Sequence, residues 1–390
     1  MRKVATMLSI FCLLTSTMVL PVQAEQSEKA EVDLAENSKS AILMEKDTGE
    51  ILYKKNSEER LPPASMTKVM TMILIMEALE SGKIKLDEKV RISENAASMG
   101  GSQIFLEEGE EMTVEDLLKG IAVASGNDAS VALAERIAGS EKAFVEQMNK
   151  KAKELGLKNT KFKNTTGLPA EGHYSTAQDM AVMAKELLKH EQITEYTSIY
   201  DDYLRKGTED EFWLVNTNKL VKFYKGVDGL KTGYTSEAKY CLTATAKKDE
   251  MRVIAVVMGA ETTKKRNKDI SAMLDYAFQQ YNTKPVYDRF EQVDEMNLLK
   301  ADKANVKVVT GDQVSILMKK GEKTENLEQV IEYKEDLSLP LKKGQEVGTL
   351  KLVNDKNILS ETPLIVNQDI QQAGIWTLMK RTMSHFYKPF

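Results

Sequence analysis

Leu61-Pro62-Pro63-Ala64-Ser65-Met66-Thr67-Lys68 runs directly into the apolar stretch Val69 to Leu79. The two prolines end whatever precedes them. The stretch that follows is apolar almost all round, as a helix buried at the centre of a domain must be. Ser65 therefore stands at the mouth of a buried helix, and Lys68, three residues on, shares its face. A serine hydroxyl is a weak nucleophile until a neighbour takes its proton. A lysine takes it only when neutral, and partial burial beside a second cation lowers its pKa in that direction. Lys231 is the cation expected there, and the positive end of the helix favours an alkoxide developing on Ser65. Taken alone, Ser65 reads better as a helix-capping serine, and Lys68 as a solvated lysine that its apolar surroundings would keep from water.

Two further polar motifs follow in order. Ser125-Gly126-Asn127 falls between two helical segments, where a turn projects side chains into a cleft. Ser125 suits a proton relay between Lys68 and a leaving amine, and Asn127 suits a hydrogen bond to a substrate amide; caps of the helix starting at Asp128 are the plainer reading. Lys231-Thr232-Gly233 precedes an apolar strand. Lys231 and Thr232 offer a charge and a hydroxyl to a terminal carboxylate, and Gly233 lets a peptide backbone lie beside the strand edge. The backbone N–H groups of Ser65 and Tyr234 together suit an oxyanion. Each motif by itself is weak, since Ser236-Glu237-Ala238-Lys239 repeats the first pattern and Ser93-Glu94-Asn95 the second. The ordered set carries the specificity.

Around these motifs, Ala41 to Met44 and Ile51 to Tyr53 flank Asp47-Thr48-Gly49 as a hairpin. Residues 113 to 189 look mainly helical, with Val114, Leu117, Leu118 and Ile121 at helical spacing. Tyr240 to Ala246 and Arg252 to Met258 read as adjacent antiparallel strands, followed by a helix from about Lys264 to Tyr281. Strands, a helical insertion, strands and a closing helix make an α+β layer architecture. From Pro285 the chain changes to short alternating stretches separated by glycine turns, a small β domain to about Asn367. The domain reading is thus 38–284, 285–367 and a terminal segment 368–390.

The 390 residues are 42% hydrophobic and 29% charged, enough for a large core, and the formal net charge of -5 excludes a typical nucleic-acid binder. Arg2 and Lys3, the apolar run Met7 to Leu20 and Val22-Gln23-Ala24 read as a cleaved signal segment, 1–24, with an uncleaved anchor as the alternative that the shortness of the run disfavours, and with a mobile leader over 25–37. Losing Arg2 and Lys3 takes the formal charge from -5 to -7. Cys12 leaves with that segment, so Cys241 has no disulfide partner and reads as packing. His173, His190 and His385 are scattered, which supports neither a histidine triad nor a zinc site. Over Ile375 to Phe386, the residues Ile375, Trp376, Leu378, Met379, Met383 and Phe386 share one arc of a helix; Thr377, Lys380, Arg381 and Ser384 share the other. That pattern suits a helix lying in a membrane surface, or one packed on the β domain.

The motifs together resemble the low-molecular-weight penicillin-binding proteins that act as serine-type D-alanyl-D-alanine carboxypeptidases (the sporulation-type enzymes above all), whose Ser-x-x-Lys and Lys-Thr-Gly order they share. The likeness extends to Gly126-Asn127-Asp128-Ala129, Asn164-Thr165-Thr166-Gly167-Leu168, His173-Tyr174-Ser175-Thr176-Ala177-Gln178-Asp179 and Gly226-Val227-Asp228-Gly229-Leu230. It implies a β-lactamase/transpeptidase-like domain followed by a β domain and an amphipathic helix. It also implies removal of the terminal D-alanine from peptidoglycan pentapeptides through an acyl-enzyme, inhibition by β-lactams, no cofactor or metal, and a secreted, membrane-attached enzyme. By the same resemblance Arg266 lies near the substrate carboxylate, although a surface salt bridge reads more simply; Tyr234 stands where some relatives have histidine. A β-lactamase, a transpeptidase or endopeptidase, and a non-catalytic penicillin or peptidoglycan sensor share this grammar.

Overall fold

The structure, a computed structural model, describes residues 33–322, 326–355 and 357–386, the last three as backbone only. The expected signal segment and the leader as far as residue 32 lie outside the described residues. Leu34 to Asn37, expected in the mobile leader, are instead part of the packed chain. Ala35 is fully buried, and the backbone and side chain of Asn37 both donate to Asp269.

Strand Ser40–Glu45 turns back into Ile51–Lys55 through Gly49, whose φ of 76° suits a residue without Cβ. The first of these strands pairs with Met251–Ala260, which pairs with Lys239–Lys248, which pairs with Val227–Thr235 at the far edge; every pairing is antiparallel. Successive side chains of a strand face opposite ways, and the sheet uses both faces. Ile42 and Met44 enter one apolar core with the helices Lys68–Glu80, Asn127–Ala138 and Ala177–Leu187. Ala41 and Leu43 enter a second core beneath Ile270, Met273 and Leu274 of the helix Thr263–Gln280. The helix Lys68–Glu80 is apolar on nearly all sides because it is covered on nearly all sides.

One local reading changes and another is extended. The segment between Glu154 and Ala177, inside the stretch read as mainly helical, contains no helix; it is a loop organised by side-chain hydrogen bonds. Lys231-Thr232-Gly233 precedes the strand Lys239–Lys248 as expected, but is itself part of a further strand, Val227–Thr235, with Lys231 opposite Thr243 and Gly233 opposite Cys241. Its Lys and Thr interrupt the apolar run that sequence patterning requires of a strand.

Beyond the closing helix, a five-stranded antiparallel sheet runs in the order Gln292–Asn297, Asn305–Thr310, Asn357–Val366, Glu346–Asn354, Leu327–Tyr333, with its own core around Val308, Val347, Leu350 and Leu364. A buried charge cluster ties the segment after Asn305–Thr310, including the strand Val314–Lys319, to the hairpin turn after Ser40–Glu45. Lys46 Nζ lies 3.0 Å from Asp47 and 3.1 Å from Asp312, and Ser315 donates to Asp47 at 2.8 Å. The terminal helix Ile375–Phe386 is held through its polar side, where Arg381 donates to the carbonyls of Leu299, Ala301 and Asp302. Its apolar side faces outward: Trp376 is 79% exposed, and Ile375, Met379 and Met383 are exposed with it. The Ser384 and Phe386 side chains that completed the two arcs lie outside the described residues.

Candidate active site

Ser65 sits in a short 3-10 turn, Ala64–Thr67, continuous with the helix that begins at Lys68. Ala64 holds a left-handed φ of 47°, unusual for a residue with a Cβ. The turn is wedged between two glycines. A Cβ on Gly167 would lie 1.8 Å from the Ala64 carbonyl oxygen, and one on Gly233 would lie 2.7 Å from that of Pro63. Gly233 therefore serves first to seat its strand against the serine turn, where sequence analysis assigned it to a passing peptide backbone.

Lys68 is wholly buried. Its Nζ donates to the Asn127 side-chain oxygen at 2.6 Å and to the Thr166 carbonyl at 2.9 Å, and lies 3.3 Å from Ser65 Oγ. Burial and then repulsion from Lys231 hold its pKa well below that of a free lysine, against the opposing pull of Asp128. Asp128 is itself buried, accepting from the backbone N–H groups of Ile104, Leu106 and Ala129.

Ser125 ends a π-helical turn, Gly120–Ala124, in a left-handed conformation with φ 66°. A left-handed non-glycine residue costs on the order of 1–3 kcal/mol and recurs at functional sites. Here it aims an Oγ that is buried and has no hydrogen-bond partner among the described residues. Asn127 next to it spends its amide oxygen on Lys68 and one N–H on the Gly100 carbonyl at 2.6 Å, leaving one N–H for a ligand.

On the facing strand, Lys231 is buried, its Nζ donating to the Thr232 carbonyl at 3.1 Å. Burial and then the Arg266 charge bring its pKa down to about 7. Thr232 donates to Thr217 at 2.7 Å. Arg266 is not in a surface salt bridge: it is 3% exposed, bonds only to the Asn267 side chain, and has no carboxylate partner among the described residues. Two buried cations without counter-charge create a site for an anion. The Tyr234 ring is 55% exposed and stacks on Tyr240 at 4.4 Å.

Ser65, Lys68, Ser125, Asn127 and Lys231 thus converge from three separate parts of the chain. A loop whose residues carried the family resemblance, with no role read from them, frames the site. Asn164 accepts from the Gly167 backbone at 2.7 Å and donates to Leu168, which turns the Thr166 carbonyl onto Lys68. His173, set aside as scattered, braces that loop. Lys163 N–H donates to its Nδ1 at 3.3 Å, so Nε2 carries the proton and donates to Thr67 Oγ1 at 2.8 Å. Burial and then Lys163 lower its pKa to about 4. The asparagine and glycine three residues apart were the available signal of a tight side-chain-closed turn. A cavity of about 640 Å³ opens beside Ala64, lined by Pro62, Leu168, Tyr174, Thr235 and Glu237 among others.

The family model described as D-alanyl-D-alanine carboxypeptidase matches residues 24–262, and that of the penicillin-binding protein 5 C-terminal domain matches residues 281–372. The chain is 60% identical to D-alanyl-D-alanine carboxypeptidase DacF of Bacillus subtilis over 94% of each. It is 36% identical to DacC of Escherichia coli, over 87% of this chain and 86% of that one. Penicillin-binding protein 5 from Haemophilus influenzae superposes with a TM-score of 0.67 at 34% identity, covering 86% of this chain and 98% of its own. The ampicillin-bound penicillin-binding protein D2 from Listeria monocytogenes gives 0.56 at 32% identity, covering 62% and 98%.

Proposed function

The chain belongs to the D-alanyl-D-alanine carboxypeptidase family, and from that membership we propose a serine acyl-enzyme route in which Lys68 activates Ser65. The observation that carries this reading is the environment of Lys68. A neutral amine has two N–H donors and one lone pair. The two short contacts, to Asn127 and Thr166, use the donors, and the longer one leaves the lone pair facing the Ser65 hydroxyl.

The reaction then runs as follows. Lys68 takes the Ser65 proton as Oγ bonds to the carbonyl carbon of the penultimate D-alanine. The resulting oxyanion is held by the backbone N–H groups of Ser65 and Tyr234. Lys68 passes the proton through Ser125 Oγ to the leaving amine, the C–N bond breaks, and free D-alanine departs. Water repeats the sequence on the Ser65 ester, and the serine is restored. Lys231, Thr232 and Arg266 bind the terminal carboxylate, and the remaining Asn127 N–H binds the substrate amide. A β-lactam acylates the same serine.

The outward apolar arc of the terminal helix supports attachment to a membrane surface, with the catalytic chain exported across it. Among the described residues no helix is long and apolar enough to span a bilayer. Fluorescent penicillin labelling together with D-alanine release from a diacyl-D-Ala-D-Ala peptide tests the catalytic reading. Both activities in the wild type and neither in Ser65→Ala is the expected result. Labelling without release, or rapid turnover of the penicillin, overturns it.

A further inference from the structure

The strands Asp201–Leu204 and Phe212–Val215 form a two-stranded antiparallel ribbon that the reaction does not use. Alternation along the strands gives it two faces. Leu204 and Leu214 point inward and join the first core, and Phe212 packs against that core. Asp201, Tyr203, Trp213 and Val215 point the other way. Tyr203 stands directly opposite Trp213, and the two residues are 41% and 56% exposed.

The ribbon is fixed to the active site at both ends. Past Val215, the Asn216 amide donates to the Thr197 and Ile199 carbonyls at 3.0 and 2.7 Å, and Thr217 accepts from Thr232. At the turn, Arg205 donates to Glu110 and to the carbonyls of Ile104 and Phe105, on the segment whose Gly100 carbonyl holds Asn127. At about 3.3 Å per residue, Trp213 lies within about 13 Å of Thr217. The outward ring pair is therefore held rigidly beside the cleft.

Apolar residues scattered singly over a surface carry no message, but two large rings side by side on one held face form a patch. The rim of this patch is acidic. The Asp201 carboxylate lies 3.5 Å from the Trp213 indole nitrogen, and Glu209, Asp210 and Glu211 of the turn are exposed. The lysines nearest in sequence are directed elsewhere: Lys206 to Asp202 at 2.7 Å, Lys219 and Lys222 onto the Tyr200 ring. Such a face repels polyanions and anionic lipid. It suits an uncharged sugar chain, whose C–H faces pack on aromatic rings while its hydroxyls donate to carboxylates. Peptidoglycan, which carries the D-Ala-D-Ala peptides, is built on such a chain.

We propose that Tyr203 and Trp213, with Asp201 at their edge, dock the amino-sugar backbone of peptidoglycan beside the cleft. The platform holds the polymer and touches no reacting atom, so it does not depend on the Ser65 chemistry.

Trp213 and Trp376 are the two tryptophans of the chain, so in full-chain Trp376→Phe the indole emission reports Trp213 alone. Soluble oligomers of β-linked N-acetylglucosamine should shift that emission to saturation. The wild type should also sediment with insoluble peptidoglycan stripped of its stem peptides. The double variant, Tyr203→Ala with Trp213→Ala, should bind the stripped polymer about tenfold or more weakly, at low and high salt alike. Its kcat/KM on a soluble diacyl-D-Ala-D-Ala peptide should match the wild type's, which also shows that it folds, while its D-alanine release from intact insoluble peptidoglycan falls. Equal sedimentation of wild type and double variant, an unmoved Trp213 emission, or retention only on polylysine and only at low salt overturns the platform. Ser65→Ala should bind the stripped polymer as the wild type does, so the platform and the catalytic reading fail separately.

Discussion

The Lys68 amine is 2.6 Å from the Asn127 side-chain oxygen and 3.3 Å from Ser65 Oγ, so Asn127 is its nearer side-chain partner, and in the proposed mechanism it orients the base. Asn127→Ala removes that orientation and leaves the burial of Lys68 in place. Acylation by fluorescent penicillin should slow by about 10²-fold, whereas Lys68→Met should cost about 10⁴-fold, the range for losing a positioned general base. Stopped-flow labelling rates separate the two. Equal losses would show that Asn127 does more than orient.

The pH profile follows from the two lysines. Lys68 must be neutral to accept a proton, so activity falls as pH drops through its depressed pKa. Lys231 must be charged to hold a carboxylate, so in the free enzyme activity also falls as pH rises past about 7. A bound carboxylate raises the Lys231 pKa. The alkaline limb of kcat should therefore lie above that of kcat/KM. Lys231→Met removes the repulsion on Lys68 and should move the acid limb upward, with a loss of about 10- to 100-fold in kcat/KM for the missing charge-assisted bond. Steady-state profiles on a diacyl-D-Ala-D-Ala peptide read both effects.

Gly167→Ala should be among the most damaging single changes outside the reacting groups. The new methyl collides with the Ala64 carbonyl, and the backbone is left-handed at φ 85°. The serine turn must move or the loop must lift Thr166 from Lys68. A loss of about 2–4 kcal/mol in stability, together with at least about 10²-fold in acylation rate, is expected by thermal unfolding and penicillin labelling.

His173 supplies an acid-stability prediction with a definite sign. Its folded pKa, about 4, lies below the ordinary 6.5, so the unfolded chain binds the proton first. Stability is unaffected above about 6.5, falls by about 1.4 kcal/mol per pH unit between 6.5 and 4, and levels off below. His173→Asn removes this slope, and its stability curve between pH 6.5 and 4 should be flatter than the wild type's in urea unfolding.

The terminal helix is tested with anionic lipid vesicles. Arg381 is committed to backbone carbonyls, so attachment should depend on the apolar arc more than on charge. Trp376→Ser should weaken vesicle binding about tenfold or more, in line with the apolar area removed, and should leave D-alanine release from soluble peptides unchanged.

Much of this was legible in the residue pattern, for reasons that also explain what was not. The buried helix after Ser65 announces itself because an all-round apolar stretch has no solvated alternative. The lysine-bearing strand does not, because its polar residues face a cleft and break the alternation that marks a strand. Arg266 looked like a surface residue because a helix N-terminal turn rich in lysine, Lys264 and Lys265, normally is one; only the sheet packed beneath shows it buried. The loop from Asn164 to His173 carries no periodicity at all, being fixed by individual hydrogen bonds. Leu34 to Asn37 read as leader because short polar segments give no hint of a distant partner such as Asp269.

The pairing of Ser40–Glu45 with Met251–Ala260 has a consequence for how the molecule comes into being. Ser65 is synthesised early, but the strand holding Lys231 and the helix holding Arg266 arrive about 170 and about 200 residues later, and the paired strands Ser40–Glu45 and Met251–Ala260 lie on either side of most of that interval. Partial chains that lack Met251–Ala260 cannot pair Ser40–Glu45 with the rest of the first sheet, so the helix that carries Lys68 is left without the sheet face that covers it. Reactivity toward penicillin should therefore appear in one step, when Ser40–Glu45 and Met251–Ala260 pair, as a marker of completed assembly.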